Sequence, residues 1–181
     1  MSHSVSDRYR RLSTRFDAIV QSLSADDLDR PTPCDGWTVR DIVQHVADTE
    51  HDLLVARELA SGDAQGWAAT RAKVQAVLDD DSTREMQYDG WFGPTTLGAT
   101  IDAFYSMDLM VHGWDIAVAV GSPAAADADP EDVAIARALL EPAGDAMRMP
   151  GICGPEVAVP SAATDWHRFL GWTGRNPAWA G

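Results

Sequence analysis

The chain has 181 residues, 45% hydrophobic with seven Trp, which is enough to bury one real core and too apolar for a disordered chain. Fourteen Lys and Arg against 28 Asp and Glu give a formal net charge of −14, which argues against a phosphate-binding surface and a nucleic-acid partner. No apolar run approaches the roughly 20 residues of a membrane span, MSHSVSDRYRRL lacks the apolar run of a signal peptide, and Cys34 and Cys153 form no CxxC, so reduced thiols in the cytoplasm are expected.

Tyr9, Leu12, Phe16, Ile19, Val20 and Leu23 are spaced as one face of an amphipathic helix over about 4–22. A turn region with Pro31, Pro33 and Gly36 follows. Thr38 then reads as an N-cap with Asp41 three residues on, an acidic variant of the capping box. The second helix is predicted over 39–60, with Val39, Ile42, Val43, Val46, Leu53 and Leu54 inward. A third helix is predicted over 65–78, ending in the acidic run Asp79-Asp80-Asp81, read as a solvated turn. Residues 84–94 read as a loop, because Gly90, Gly93 and Pro94 interrupt Met86, Tyr88 and Trp91, with a short extended piece at Met86, Tyr88 and Trp91 as the alternative.

The longest predicted helix spans 97–120, capped by Thr95 or Thr96 and stopped by Gly121 and Pro123. A fifth opens at Pro130 and runs to about 147. Val157 to Val159 read as a short strand, and a last short helix covers 163–171. The expectation is all-α: one domain over 1–181, an up-and-down four-helix bundle over about 4–121, and a C-terminal extension over about 122–181 with one or two short helices and the short strand.

The chemistry concentrates on the long helix. Ile101, Tyr105, Asp108, His112 and Ile116 recur at steps of three and four and share one stripe. A buried carboxylate and imidazole each need a partner there: each other, a third side chain, or a metal ion. Two His and one carboxylate suit zinc, iron or nickel, and bundles build such sites from facing helices. Asp108 and His112, at i and i+4, aim at one point, and His45 of the second helix would supply the third ligand. The competing reading is an Asp108–His112 hydrogen bond with a separate half-buried His45. Asp115 reads as an exposed helix residue or as an acceptor behind a ligating imidazole. His51, with Asp48 and Asp52, reads as part of a solvated face. His3 and His167 have no constellation around them. Cys34 reads as a small buried residue rather than a reactive thiol, and the Trp residues as core.

Cys34-Asp-Gly-Trp-Thr-Val-Arg-Asp-Ile-Val-Gln-His45 resembles the second-helix signature of the DinB-like superfamily, closest to the branch around the N-terminal domain of mycothiol-dependent maleylpyruvate isomerase. Asp108-Leu-Met-Val-His112-Gly-Trp-Asp115-Ile-Ala resembles that branch's second motif, and Gly174-Arg175-Asn176-Pro177 resembles the tail of its small actinobacterial members. The resemblance implies a four-helix bundle with a divalent metal, zinc first and nickel or iron as alternatives, on His45, Asp108 and His112. Asp108 departs from the Glu or His of the relatives and is shorter than Glu by one methylene. The last 60 residues do not match the isomerase's second domain, so the isomerisation itself is not carried over. What the resemblance implies is a thiol-dependent transferase or isomerase, using mycothiol or a similar low-molecular-weight thiol and an unidentified acceptor. A metal-stabilised, non-catalytic binding or stress-response bundle, dimeric through a helix face, is the alternative. No catalytic or thiol-binding residue is assigned by sequence; Asp115, Tyr105 and Asp48 are general-base candidates by proximity alone.

Overall fold

The computed structural model describes residues 4–149 and 151–180; His3 lies outside them. Four helices make the bundle: α1 (Val5–Gln21), α2 (Val39–Val55), α3 (Trp67–Asp79) and α4, which comprises Leu97–Thr100, a π-helical segment Ile101–Tyr105, and Ser106–Ala119. The four-helix bundle expected from the apolar periodicity is therefore present. α1 packs against α3 and α4, and α2 packs against the same pair. Tyr9, Phe16, Ile42, Leu54, Leu78, Leu97 and Ile116 fill the space between them and are fully buried.

Local chemistry sets the helix ends. Ser4 caps α1 by accepting the Asp7 N–H, satisfying a donor that no helical carbonyl reaches. At α2 the Thr38 hydroxyl accepts the Asp41 N–H while the Asp41 carboxylate accepts the Thr38 N–H at 2.8 Å, the reciprocal box predicted from sequence. α2 ends at Val55 rather than near 60, five residues before the predicted stop. Glu58 then takes a positive φ of 59°, a conformation no helix continues through.

Three further expectations are corrected. Asp79-Asp80-Asp81 is not only a solvated turn, since Asp80 caps one more helical turn, Asp81–Arg84. For residues 84–94 the extended alternative forms in place of the loop. Strands β1 (Gln87–Gly90) and β2 (Gly93–Thr96) pair antiparallel, Gln87 opposite Thr96 and Gly90 opposite Gly93, with Gly93 at φ +102° where the chain reverses. The glycines read as loop markers are the hairpin's turn. The strand expected at 157–159 does not form. Val157 instead donates its N–H to the Gly171 carbonyl and runs alone beside the last helix.

The extension contributes α5 (Pro130–Leu140), a 3-10 segment Glu141–Arg148, and α6 (Asp165–Trp172). α5 ends seven residues before the predicted limit at 147, because Pro142 supplies no N–H for α-helical bonding and Gly144 leaves the helical region at φ +53°. α5 packs on α6 and on the π-helical segment. Gly174 lies so close to Gly154 that a Cβ there would sit 2.8 Å from its Cα, and it holds φ +93°. Only glycine permits that crossing, which turns the tail back toward the bundle.

Candidate metal centre

α2 and α4 carry their polar residues to the floor of one cleft of about 1510 Å³, walled also by the hairpin and the extension. His45, Asp108 and His112 meet there. One ligand atom from each lies within 4.8 Å of the others. His45 Nε2 stands 3.9 Å from Asp108 Oδ2, too far to hydrogen-bond. Two donors at about 2.0–2.2 Å from one ion can stand up to roughly 4.2 Å apart, so that spacing suits a shared cation. The donor set, two imidazoles and one carboxylate, fits a divalent transition metal.

The imidazoles are oriented for this role. The competing Asp108–His112 hydrogen bond is not the one made. His112 Nδ1 lies 3.0 Å from Asp115 Oδ2, so its Nε2 is left to face the cleft. His45 stacks edge-on against Trp37 at 4.8 Å between ring centroids, and against His112 at 5.1 Å. Burial, and then the neighbouring His112, hold the His45 pKa below its ordinary value despite Asp108. At neutral pH it is therefore the neutral imidazole a metal requires.

Behind His112 stands a network with only part of its sequence signal. Asp115 is fully buried, so the exposed-residue reading is corrected and the acceptor reading is the one the structure has. Arg175, from the tail that crosses Gly154, donates to both Asp115 oxygens, from Nη2 at 3.0 Å and Nε at 3.3 Å. Burial alone would raise the Asp115 pKa, but Arg175 and His112 together hold the carboxylate below the usual range. Cys34 completes the network, its Sγ 3.2 Å from Asp115 Oδ2 and 3.2 Å from Arg175 Nη2. Burial, followed by the Asp115 charge, pushes the thiol up to about 12, against the pull of Arg175. Cys34 is thus a protonated, half-buried thiol at neutral pH. Cys34, His112 and Asp115 also satisfy a ligand spacing, but the Arg175 guanidinium already neutralises that carboxylate and repels a second cation. Arg175 was legible only as part of the tail motif, since nothing local links position 175 to 115.

The remaining candidates fall elsewhere. His51 is not on a solvated face; it is buried and its Nε2 bonds the Gly62 carbonyl at 2.9 Å, tying α2 to the following loop. Tyr105 lines the cleft, and burial and Asp108 raise its pKa, so it is a phenol rather than a base. Asp48 accepts from Gln44 at 2.6 Å. His167 sits half-buried on α6. Trp67, Trp114 and Trp166 are core as expected, while Trp91 at the hairpin tip is 79% exposed.

A helical bundle that gathers two imidazoles and a carboxylate at the floor of a cleft, with a buried carboxylate behind one imidazole, defines a class: bundle proteins with a candidate divalent-metal centre. Residues 9–80 match the family model described as the mycothiol maleylpyruvate isomerase N-terminal domain, to which this part of the chain is similar. His45 falls inside the match and Asp108 and His112 beyond it. An uncharacterized protein of Mycobacterium tuberculosis (strain CDC 1551 / Oshkosh) is 27% identical over 155 residues, 74% of this chain and 78% of the relative. A second, from strain ATCC 25618 / H37Rv, gives the same figures. Another uncharacterized protein of the CDC 1551 / Oshkosh strain is 28% identical over 140 residues, 62% of this chain and 54% of the relative. No solved structure matches the chain. Among the described residues, no helix is long and apolar enough to cross a membrane.

Proposed function

We propose that the chain is a metal-dependent, thiol-using enzyme of the transferase or isomerase type, with His45, Asp108 and His112 holding one divalent ion, zinc first among the candidates and nickel or iron behind it. The observation that carries the reading is the convergence of these three side chains at the cleft floor with no fourth protein ligand from the described residues completing the set. Structural zinc sites are closed by four protein ligands, whereas catalytic ones keep a position for a small molecule. A bound divalent ion would supply Lewis acidity and would lower the pKa of a coordinated thiol, such as mycothiol, to give a thiolate at neutral pH.

The protein's own part is orientation. Asp115 fixes the His112 ring with Nδ1 as donor, and Arg175 keeps that carboxylate ionised and in place. Trp37 covers one flank of both imidazoles and limits water there. The site faces a cleft far larger than one ion needs, which favours this reading over a purely metal-stabilised bundle. The test is thiol consumption by zinc-loaded protein with a panel of electrophilic acceptors. The proposal expects turnover that His45→Ala removes; a bound ion with no turnover for any thiol supports the non-catalytic alternative.

A further inference from the structure

We propose that the acceptor is an elongated organic anion with an apolar body, reacting at the metal end of the cleft and anchored by its charge on Arg57 at the other end. The identity of the reacting end rests on the function proposed above; the binding mode does not.

The groove has a direction. Along α2 the cleft is lined by His45, Thr49, Leu53 and Ala56, spaced by four, four and three residues, so they form one stripe, which Arg57 ends. Ten of the twelve residue steps from His45 to Arg57 lie within α2, a rise of roughly 15 Å. α4 supplies the facing wall with Phe104, Met107 and Val111 leading to His112. Between the two polar ends the walls are therefore largely aliphatic and aromatic. A small polar metabolite would leave that length in contact with water.

The mouth repeats the message. Five large apolar side chains are exposed among the described residues, and four of them, Trp91, Phe92, Leu139 and Met149, line this one cleft. Phe92 stacks on Phe104 at 5.8 Å, so the hairpin tip and the groove wall form one aromatic surface. Exposed apolar area gathered at a concave site marks binding, because scattered residues would not need to share it.

The charge at the far end comes from Arg57. In a chain with twice as many acids as bases, its guanidinium has no carboxylate within 4.0 Å among the described residues. It lies 3.6 Å over the Tyr88 ring, spends Nη1 on its neighbour's carbonyl, and has a buried Nε with no partner. The other two cleft arginines are committed, Arg148 to the Gly154 carbonyl at 2.7 Å and Arg175 to Asp115. The hairpin's own carboxylate, Asp89, is exposed to solvent. A stacked, fixed guanidinium with a spare donor is suited to an incoming carboxylate.

The test is calorimetric titration of the metal-free full chain with decanoate, the length-matched neutral decanol, and the short butyrate. Decanoate is expected to bind saturably and about tenfold or more tighter than decanol, as one charge-assisted anchor gives, with butyrate undetectable. Arg57→Gln is expected to erase the preference for decanoate over decanol while decanol binding persists. Phe92→Ala is expected to weaken both long ligands alike, and circular dichroism checks that each variant is folded. Equal affinity of the wild type for decanoate and decanol, an unchanged preference in a folded Arg57→Gln protein, or butyrate binding as tightly as decanoate would each overturn the proposal. Because the protein is metal-free, these outcomes leave the question of metal and thiol chemistry to its own experiment.

Discussion

α4 carries two polar clusters, and they differ in whether their bonds are complete. Toward α1 and α5, Arg8 is 2% exposed and spends its guanidinium on Asp102 and Asp132. Nη1 meets Asp102 Oδ1 at 2.6 Å and its carbonyl at 2.9 Å, and Nε meets Asp132 Oδ1 at 3.0 Å. The carbonyl belongs to the π-helical segment, where the usual i to i+4 bonding is interrupted, so Arg8 bonds the backbone at that irregularity. Toward α2, Asp108 and His45 remain 3.9 Å apart and the His112 Nε2 edge is left for the cleft. Both clusters place charge in a bundle interior. The first is closed and holds α1, the π segment and α5 together; the second is held apart, the arrangement expected of residues that wait for a ligand.

The comparison is broken most sharply at His112. His112→Ala is expected to abolish metal uptake, since it removes a ligand, and to leave the bundle folded on its apolar core. Asp115 loses one donor, a cost of about 1–3 kcal/mol. Metal content and circular dichroism on the variant check both halves, and global unfolding would move His112 into the structural cluster. At the closed cluster, Asp132→Ala is expected to cost about 3–5 kcal/mol, because Arg8 is left buried beside a half-satisfied site. Denaturant unfolding measures it, and metal affinity should change little.

Arg175 sharpens the contrast from the other side. Its side chain is 13% exposed against 3% for Arg8, and its carboxylate partner bonds a proposed ligand, His112. Arg175→Gln is therefore expected to lower metal affinity about 10–100-fold, read by competition with a chelating dye, while thermal stability falls less than for Asp132→Ala. An Arg175 variant that loses stability and keeps full affinity would make this network structural as well.

The smallest effect is on pH dependence. Glu50 is 2% exposed, accepts from the Tyr9 hydroxyl at 2.7 Å, and has its other oxygen without a partner. Burial first, with Asp108 adding to it and the Tyr9 bond opposing, raises its pKa from 4.5 to about 8. The folded state thus holds a proton that the unfolded state releases above its ordinary carboxyl pKa. This contribution is complete below about pH 4.5 and is lost as pH rises toward 8, with a limiting slope of about 1.4 kcal/mol per pH unit. Glu50→Gln should remove that slope, so the stability difference between variant and wild type should widen in the variant's favour from pH 5 to 8. A pH-independent difference would mean that Glu50 is ionised when folded.

Much of this was legible in the sequence, and the rest was hidden for physical reasons. Helix existence followed from apolar spacing, and the caps at Thr38 and Thr96 from local hydrogen bonding. His45, Asp108 and His112 could be grouped because Asp108 and His112 are helical neighbours and the motif around His45 resembles a known family's. The π segment was not legible, because its stabilising partner Arg8 lies 94 residues away from Asp102. Asp115 and His51 illustrate the same limit. His51 has polar neighbours in sequence that suggest solvent and Asp115 is itself a charged side chain, yet each is buried because a distant group, the Gly62 carbonyl or Arg175, accepts or supplies its bond. The hairpin was obscured by its own glycines, which read as loop in isolation and as a chain reversal once Tyr88 and Thr95 pair.

The account turns on an open metal position at the cleft floor. The most direct measurement is the zinc X-ray absorption spectrum of the loaded protein, before and after addition of a low-molecular-weight thiol. Before addition, the account predicts only nitrogen and oxygen neighbours at about 2.0–2.2 Å; afterwards, one sulfur at about 2.3 Å. A sulfur neighbour already present without added thiol, or a spectrum the thiol leaves unchanged, would contradict it.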